Sequence, residues 1–152
     1  MKDSRKVITD NRRARFDYFI EDRFEAGIAL SGTEVKSIRA GNVSLKDSYG
    51  VVIDGEMFLR GMHISPYEKG NIFNKDPLRL RKLLLHKREI NRLNGFVKLD
   101  GYTLIPLSVY LKGPRIKIDL GLCKGKHRHD KRDDAARRDA GREMERAMKE
   151  RS

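Results

Sequence analysis

Four histidines, His63, His86, His127 and His129, and one cysteine, Cys123, are the side chains best suited to proton transfer, nucleophilic attack or metal binding near neutral pH. They form no recognisable catalytic pattern. No HExxH, CxxC, GxSxG or Walker-type glycine loop occurs. The spacing of His127-Arg128-His129-Asp130 lets two imidazoles and a carboxylate touch one cation, or lets a histidine pair attack RNA. Lys124, Lys126, Arg128, Lys131 and Arg132 surround it, however, and their charges repel a dication. A solvated basic segment with no metal and no catalytic pair fits these neighbours better. Cys123 reads as a small, half-buried side chain rather than a nucleophile.

Chemistry directed at phosphate is far better represented. Asn11-Arg12-Arg13-Ala14-Arg15 puts three guanidiniums in four residues, with an amide beside them able to bond a base or a sugar hydroxyl. Arg79 to Arg92 holds Arg79, Arg81, Lys82, Lys87, Arg88 and Arg92 against the single carboxylate of Glu89. Leu83, Leu84 and Leu85 interleave with these cations. Strand alternation sends Leu83 and Leu85 to the core and Leu84 outward, where an apolar side chain needs a partner. His86, at the end of the leucine run, can stack on an unpaired base or simply begin a helix. Lys36 and Arg39 share a helical face. A third cluster runs from Lys124 through Gly125, a candidate hinge, to Lys126 and Asp130-Lys131-Arg132. Beyond it, Asp133–Arg137, Asp134–Arg138 and Glu145–Lys149 are favourable i, i+4 pairs, which predicts a segment that becomes helical when docked on a polyanion.

The elements that must position these groups are short. Phe16 to Leu30 predicts a long strand bent near Gly27. Ser31-Gly32-Thr33-Glu34 predicts a helix start, with Gly41 closing it. Tyr49 to Ile53, Asp54-Gly55 and Met57 to Met62 predict a hairpin. Ser65 to Asp76 reads as a loop. A strand over 81–85, a helix over 87–98 and strands over Thr103–Leu111 and Ile116–Leu122 complete the set. The expected fold is mainly β: a closed antiparallel barrel of about six strands, of the oligonucleotide-binding type, with two or three flanking helices; a split sheet-and-helix domain is the alternative.

Composition sets the limits. Of 152 residues, 34 are Lys or Arg and 22 are Asp or Glu, a formal charge of +12 that calls for a polyanionic partner. No run from the apolar set exceeds three residues, so no membrane-spanning helix is expected, and one cysteine fits a reducing, cytoplasmic setting. All eleven aromatics lie between Phe16 and Tyr110, and residues 123–152 contain no Leu, Ile, Val or aromatic. The expected organisation is therefore a basic arm over 1–15, a folded RNA-binding domain over 16–122 and a tail over 123–152 that is disordered when free.

Several of these segments together resemble one family. Asn11 to Tyr18, Phe24-Glu25-Ala26-Gly27, Gly32-Thr33-Glu34-Val35-Lys36-Ser37 and His63-Ile64-Ser65-Pro66-Tyr67 are four of them. The others are Arg81-Lys82-Leu83-Leu84-Leu85-His86-Lys87-Arg88-Glu89, and Lys124-Gly125-Lys126 followed by Asp130-Lys131-Arg132. In order and across nearly the whole chain, they resemble the SsrA-binding (small protein B) family. The resemblance implies an oligonucleotide-binding barrel with no catalytic activity and no cofactor. It implies binding to the tRNA-like domain of transfer-messenger RNA and delivery of that RNA to stalled 70S ribosomes, in a complex with elongation factor Tu. It places RNA contacts at Glu25, Leu84 and His86, beside Lys36 and Arg88. It sends the tail, Lys124 through Arg132, into the decoding centre and the empty mRNA channel as a helix, with His129 stacking on ribosomal RNA. A monomer in the cytoplasm is expected. The alternatives are a structural ribosomal or general tRNA-binding protein and an RNA-cleaving enzyme that uses His127 or His129.

Overall fold

Short alternating segments separated by turn residues build a nearly all-antiparallel architecture. The computed structural model describes residues 5–69, 71–99 and 101–126. The strands are β1 (Arg5–Asp10), β2 (Tyr18–Ile28), β3 (Val43–Ser44), β4 (Tyr49–Ile53), β5 (Glu56–Arg60), β6 (His63–Ile64), β7 (Arg81–Leu84), β8 (Tyr102–Lys112) and β9 (Arg115–Gly125). The helices are α1 (Arg12–Asp17), α2 (Gly32–Arg39) and α3 (Lys87–Val97), with a 3₁₀ turn at Asn71–Phe73.

Strands β8, β4, β5, β7, β2 and β9 are hydrogen-bonded in that order, and β9 returns to β8, so six strands close into a ring. Each of the six therefore has a strand neighbour on both sides, although some seams are short: β2 meets β7 at two residue pairs and β4 meets β8 at one. β8 divides one edge between two partners: Leu104 faces Gly50 of β4, and residues 108–112 face β1. β3 and β6 form a separate small pair. The fold class expected from the sequence is met: mainly β, with six strands in the ring and, among the described residues, three α-helices around it.

The alternation explains what fills the ring. On β9, Ile118, Leu120 and Leu122 are buried, and on β7, Leu83 is buried while Leu84 is exposed. Leu59, Met57, Leu104 and Ile38 join them in the main core, and Ile90 and Leu93 of α3 close one side. A second, smaller core of Ala14, Ile105, Leu107 and Cys123 lies under α1. β8 therefore reads as one continuous apolar stretch because both of its faces are covered. The Asp54-Gly55 turn joins β4 to β5 with both residues at positive φ, 50° and 77°, as a two-residue hairpin of this kind requires.

Four expectations change. Residues 5–15 are not an arm: β1 pairs with β8, and α1 packs Ala14 into the second core. The expected strand from Phe16 starts only at Tyr18, because Phe16 and Asp17 form the last turn of α1. At the other end, the ladder to β2 runs through Gly125, which pairs with Tyr18. The Gly125 N–H donates to Gly101 O (3.2 Å) and the Lys126 N–H to Asp17 O (2.9 Å), so Gly125 is stitched into the sheet rather than acting as a hinge. Cys123 is fully rather than partly buried. The remainder of the expected tail, with His127, His129, Asp130, Lys131 and Arg132, lies outside the described residues.

Candidate RNA interface

The register across β7, β2 and β9 determines which side chains share the outer face. Gly27 pairs with Leu84 on one side and with Lys117 on the other. Directly paired residues point the same way, so Leu84, Gly27 and Lys117 form one row across three strands. Leu84 is 53% exposed, as its alternation with Leu83 requires. A Cβ on Gly27 would lie 3.2 Å from Leu84 Cβ, so the missing side chain is what lets Leu84 lie close against β2. Lys117 was not singled out in the sequence. Its signal was the alternation of β9, which sends it outward, but only the pairing shows that it joins Leu84.

Glu25 lies two residues from Gly27, on the same face. Its carboxylate accepts from the Tyr110 hydroxyl (2.5 Å), Lys112 Nζ (3.2 Å) and Arg5 (3.2 Å). The Tyr110 bond outweighs the opposing effect of burial and, with Lys112 and Arg5, holds the Glu25 carboxyl below the usual range. Glu25 is therefore a fixed anion on a basic face, with lone pairs left to accept from a base amino group or a ribose hydroxyl. Beside it, burial raises the carboxyl of Asp119, its partner across the ladder, although Arg23 lies 3.7 Å away.

His86 is exposed and forms the N-cap of α3, where its N–H donates to Glu89 Oε1 (3.1 Å). Its extended backbone turns the chain from β7 into α3 and sets the residue two positions beyond Leu84. Lys82 and Arg88 are exposed; Lys82 reaches Glu56 at 3.4 Å. Lys87 Nζ donates to Gly55 O (2.6 Å), tying α3 to the β4–β5 turn. On α2, Lys36 stands over the Tyr67 ring at 5.4 Å, and Arg39 donates to Pro114 O (3.1 Å).

Arg81 does not belong to this face. It is wholly buried, donating from Nε to Glu34 Oε2 (2.6 Å) and from its terminal nitrogens to Met62 O (2.6 Å) and Pro77 O (3.0 Å). The alternation that turns Leu84 outward turns Arg81 inward, so the sequence did carry this signal. Glu34 also accepts from Arg79 and from the Ser31 N–H, which closes the capping box of α2. Burial opposes ionisation of Glu34, but these bonds win and hold its carboxyl at about 2.

Asn11 is likewise engaged internally. Its Oδ1 accepts from the Ala14 N–H (3.3 Å) to cap α1, and its Nδ2 donates to Pro106 O (3.0 Å). Arg12, Arg13 and Arg15 are exposed on α1, with Arg13 near Asp17 (3.3 Å) and Arg15 near Asp10 (3.5 Å). Lys126 joins them through a bond to Arg15 O (3.2 Å), and Lys124 stands over the Tyr102 ring at 5.6 Å. The structure thus sorts the expected residues into two groups. One is the strip of Glu25, Leu84, His86 and their lysines; the other is the α1 cluster with Lys124 and Lys126.

A family model described as SmpB protein matches residues 8–150, and so spans both groups. The chain belongs to the SmpB family. Among proteins it resembles, the SsrA-binding protein of Acetivibrio thermocellus is 64% identical over 149 residues, covering 98% of this chain and 97% of the relative. The SsrA-binding protein of Clostridium kluyveri is 62% identical over 150 residues, covering 99% and 96%. That of Geobacillus thermodenitrificans is 60% identical over 146 residues, covering 96% and 94%. A solved structure described as "tmRNA-SmpB: a journey to the center of the bacterial ribosome" is 50% identical with a TM-score of 0.67, covering 82% of this chain and 92% of its own. Among the described residues of this SmpB-family chain, no three His, Cys, Asp or Glu side chains group as a metal site, and no helix is long and apolar enough to cross a membrane.

Proposed function

We propose that the chain is a non-enzymatic RNA-binding adaptor of trans-translation, which carries the tRNA-like domain of transfer-messenger RNA to stalled ribosomes. One observation carries the reading. The outward row Leu84–Gly27–Lys117, flanked by a fixed Glu25 and an exposed His86, sits on a chain that matches SsrA-binding proteins along nearly its full length. Leu84 and His86 supply contact and stacking faces for unpaired bases. Lys36, Lys82, Arg88 and Lys117 supply phosphate partners. Glu25, charged and held in place, accepts from a base amino group and disfavours a bare phosphate at that point.

In this reading Arg12, Arg13 and Arg15 of α1 add phosphate contacts to the bound RNA, while the segment from Lys124 to Arg132 faces the ribosome and enters the decoding centre and mRNA channel. Elongation factor Tu accompanies the delivery complex, and the protein acts as a cytoplasmic monomer without a cofactor. Reversing the charges of Asp130, Lys131 and Arg132 leaves RNA affinity intact and abolishes peptide tagging; equal loss of both refutes the division of labour. The primary test compares affinity for the tRNA-like domain with that for an unrelated hairpin of equal length at one near-physiological salt concentration. A ratio of about a hundred or more supports shape-specific recognition. A ratio near one assigns the binding to charge alone and favours a general RNA-binding role.

A further inference from the structure

The strip does not end at Leu84. Leu80, Lys82 and Leu84 point outward, alternating with the buried Arg81 and Leu83. A groove of about 480 Å³ runs beside Leu80 and Lys82 and is bounded by Ser31 and Lys75. A second groove, of about 590 Å³, begins at the same two residues and continues past Lys36, Lys69, Tyr67 and Phe73. The described residues lining it include three lysines and no carboxylate.

Its rim is apolar. Ile72 is 89% exposed and Phe73 71% exposed, two large side chains in succession that the fold leaves uncovered. The loop that carries them is fastened. Asn74 Oδ1 accepts from the Tyr67 N–H and its Nδ2 donates to Tyr67 O, both at 2.8 Å. The Thr33 hydroxyl donates to Phe73 O at 3.2 Å, binding the loop to the first turn of α2. That turn is already closed by the Ser31–Glu34 capping box, and the groove's positive charge resides in its lysines.

Ammonium groups interleaved with exposed apolar and aromatic faces match a single nucleic-acid strand, in which phosphates and unstacked bases alternate. We propose that these joined grooves bind an unpaired segment of the same RNA that docks on the strip, with Phe73 stacking on an extruded base and Lys69 and Lys75 meeting its phosphates. The inference rests on the adaptor reading above. Continuity through Leu80, Lys82 and Leu84 assigns the segment to the tRNA-like RNA rather than to ribosomal RNA.

The chain has no tryptophan, so Phe73→Trp in the full-length protein places a single indole on the rim, which can be excited selectively beside the five tyrosines. Titration with the tRNA-like domain at near-physiological salt is expected to quench its emission along the isotherm seen by gel shift, whereas a fully paired duplex leaves it bright. Phe73→Ala weakens binding by about five- to a hundredfold with an unchanged salt slope. Lys75→Ala weakens it less and lowers the slope by about 0.7. Both side chains are exposed, so an unchanged melting temperature separates lost binding from lost folding. Selective wild-type binding, with no quench and no effect of Phe73→Ala, overturns the groove and leaves the adaptor reading standing. Unselective wild-type binding overturns both. Normal binding of the tRNA-like domain by Phe73→Ala, combined with weakened ribosome association, overturns the assignment in favour of ribosomal RNA.

Discussion

At Glu34, one buried carboxylate caps α2 and pairs with both Arg79 and the wholly buried Arg81. Removing one partner of such a cluster strands the other in the core, so Glu34→Gln is expected to cost about 3–5 kcal/mol in urea unfolding. The pH dependence has a definite sign. The Glu34 carboxyl is held at about 2 in the fold against 4.5 unfolded, so the unfolded chain takes up the proton first. Its contribution, about 3 kcal/mol, is complete above pH 4.5 and is lost as pH falls toward 2. Urea midpoints measured at pH 6 and pH 3 fall for the wild type and fall much less for Glu34→Gln. Cys123 gives a second check. Burial pushes its thiol up to about 11, so a thiol reagent at pH 7 labels the protein in urea and leaves the native protein unlabelled over the same time.

At the level of elements, β1 separates two descriptions of the N-terminus. An arm can be removed without thermal consequence, whereas a strand paired with β8 cannot. Deleting residues 1–10 is expected to cost about 2 kcal/mol, through the lost ladder and the packing of Ile8 against the core, and calorimetry reads this as a lower Tm. The missed elements share a physical cause. Asp54-Gly55 and the alternation through β7 and β9 are local signals, complete within a few residues, and they were legible. β1 has only Val7 and Ile8 as apolar residues, and its partner β8 lies about a hundred residues away, so nothing local announces it. α1 is short and strongly basic; it is specified by the Asn11 cap and by Ala14 entering a pocket that β8 and β9 create. The exposure of Leu84 and of His86 was legible from their positions at the end of a strand. Lys117 emerged only with its register. The charge of Arg81 suggests an RNA contact, but the alternation of β7 turns the side chain inward, where Glu34 is its partner.

For the molecule as a whole, charge and shape make separable contributions. The formal +12 draws every RNA through counterion release, so raising salt weakens binding to the tRNA-like domain and to a plain hairpin together. The ratio between them comes from uncharged contacts and is expected to stay nearly constant. Leu84→Ala should lower that ratio at unchanged salt slope, and Lys82→Ala should lower the slope at nearly unchanged ratio. Binding isotherms at three salt concentrations measure both.

The closure of the ring also bears on synthesis. β9 pairs along its length with β2, near the start of the chain, and with β8, just before it. Until β9 has left the ribosomal exit tunnel, β2 and β8 each lack a neighbour and the core between them stays open. A chain released before about residue 125 cannot complete this fold, however faithfully its first hundred residues were made. Such a fragment would expose unpaired strands and apolar surface to the proteases that clear incomplete products. The position of β9 in the order thus makes folding a test of whether the message was read at least as far as this strand.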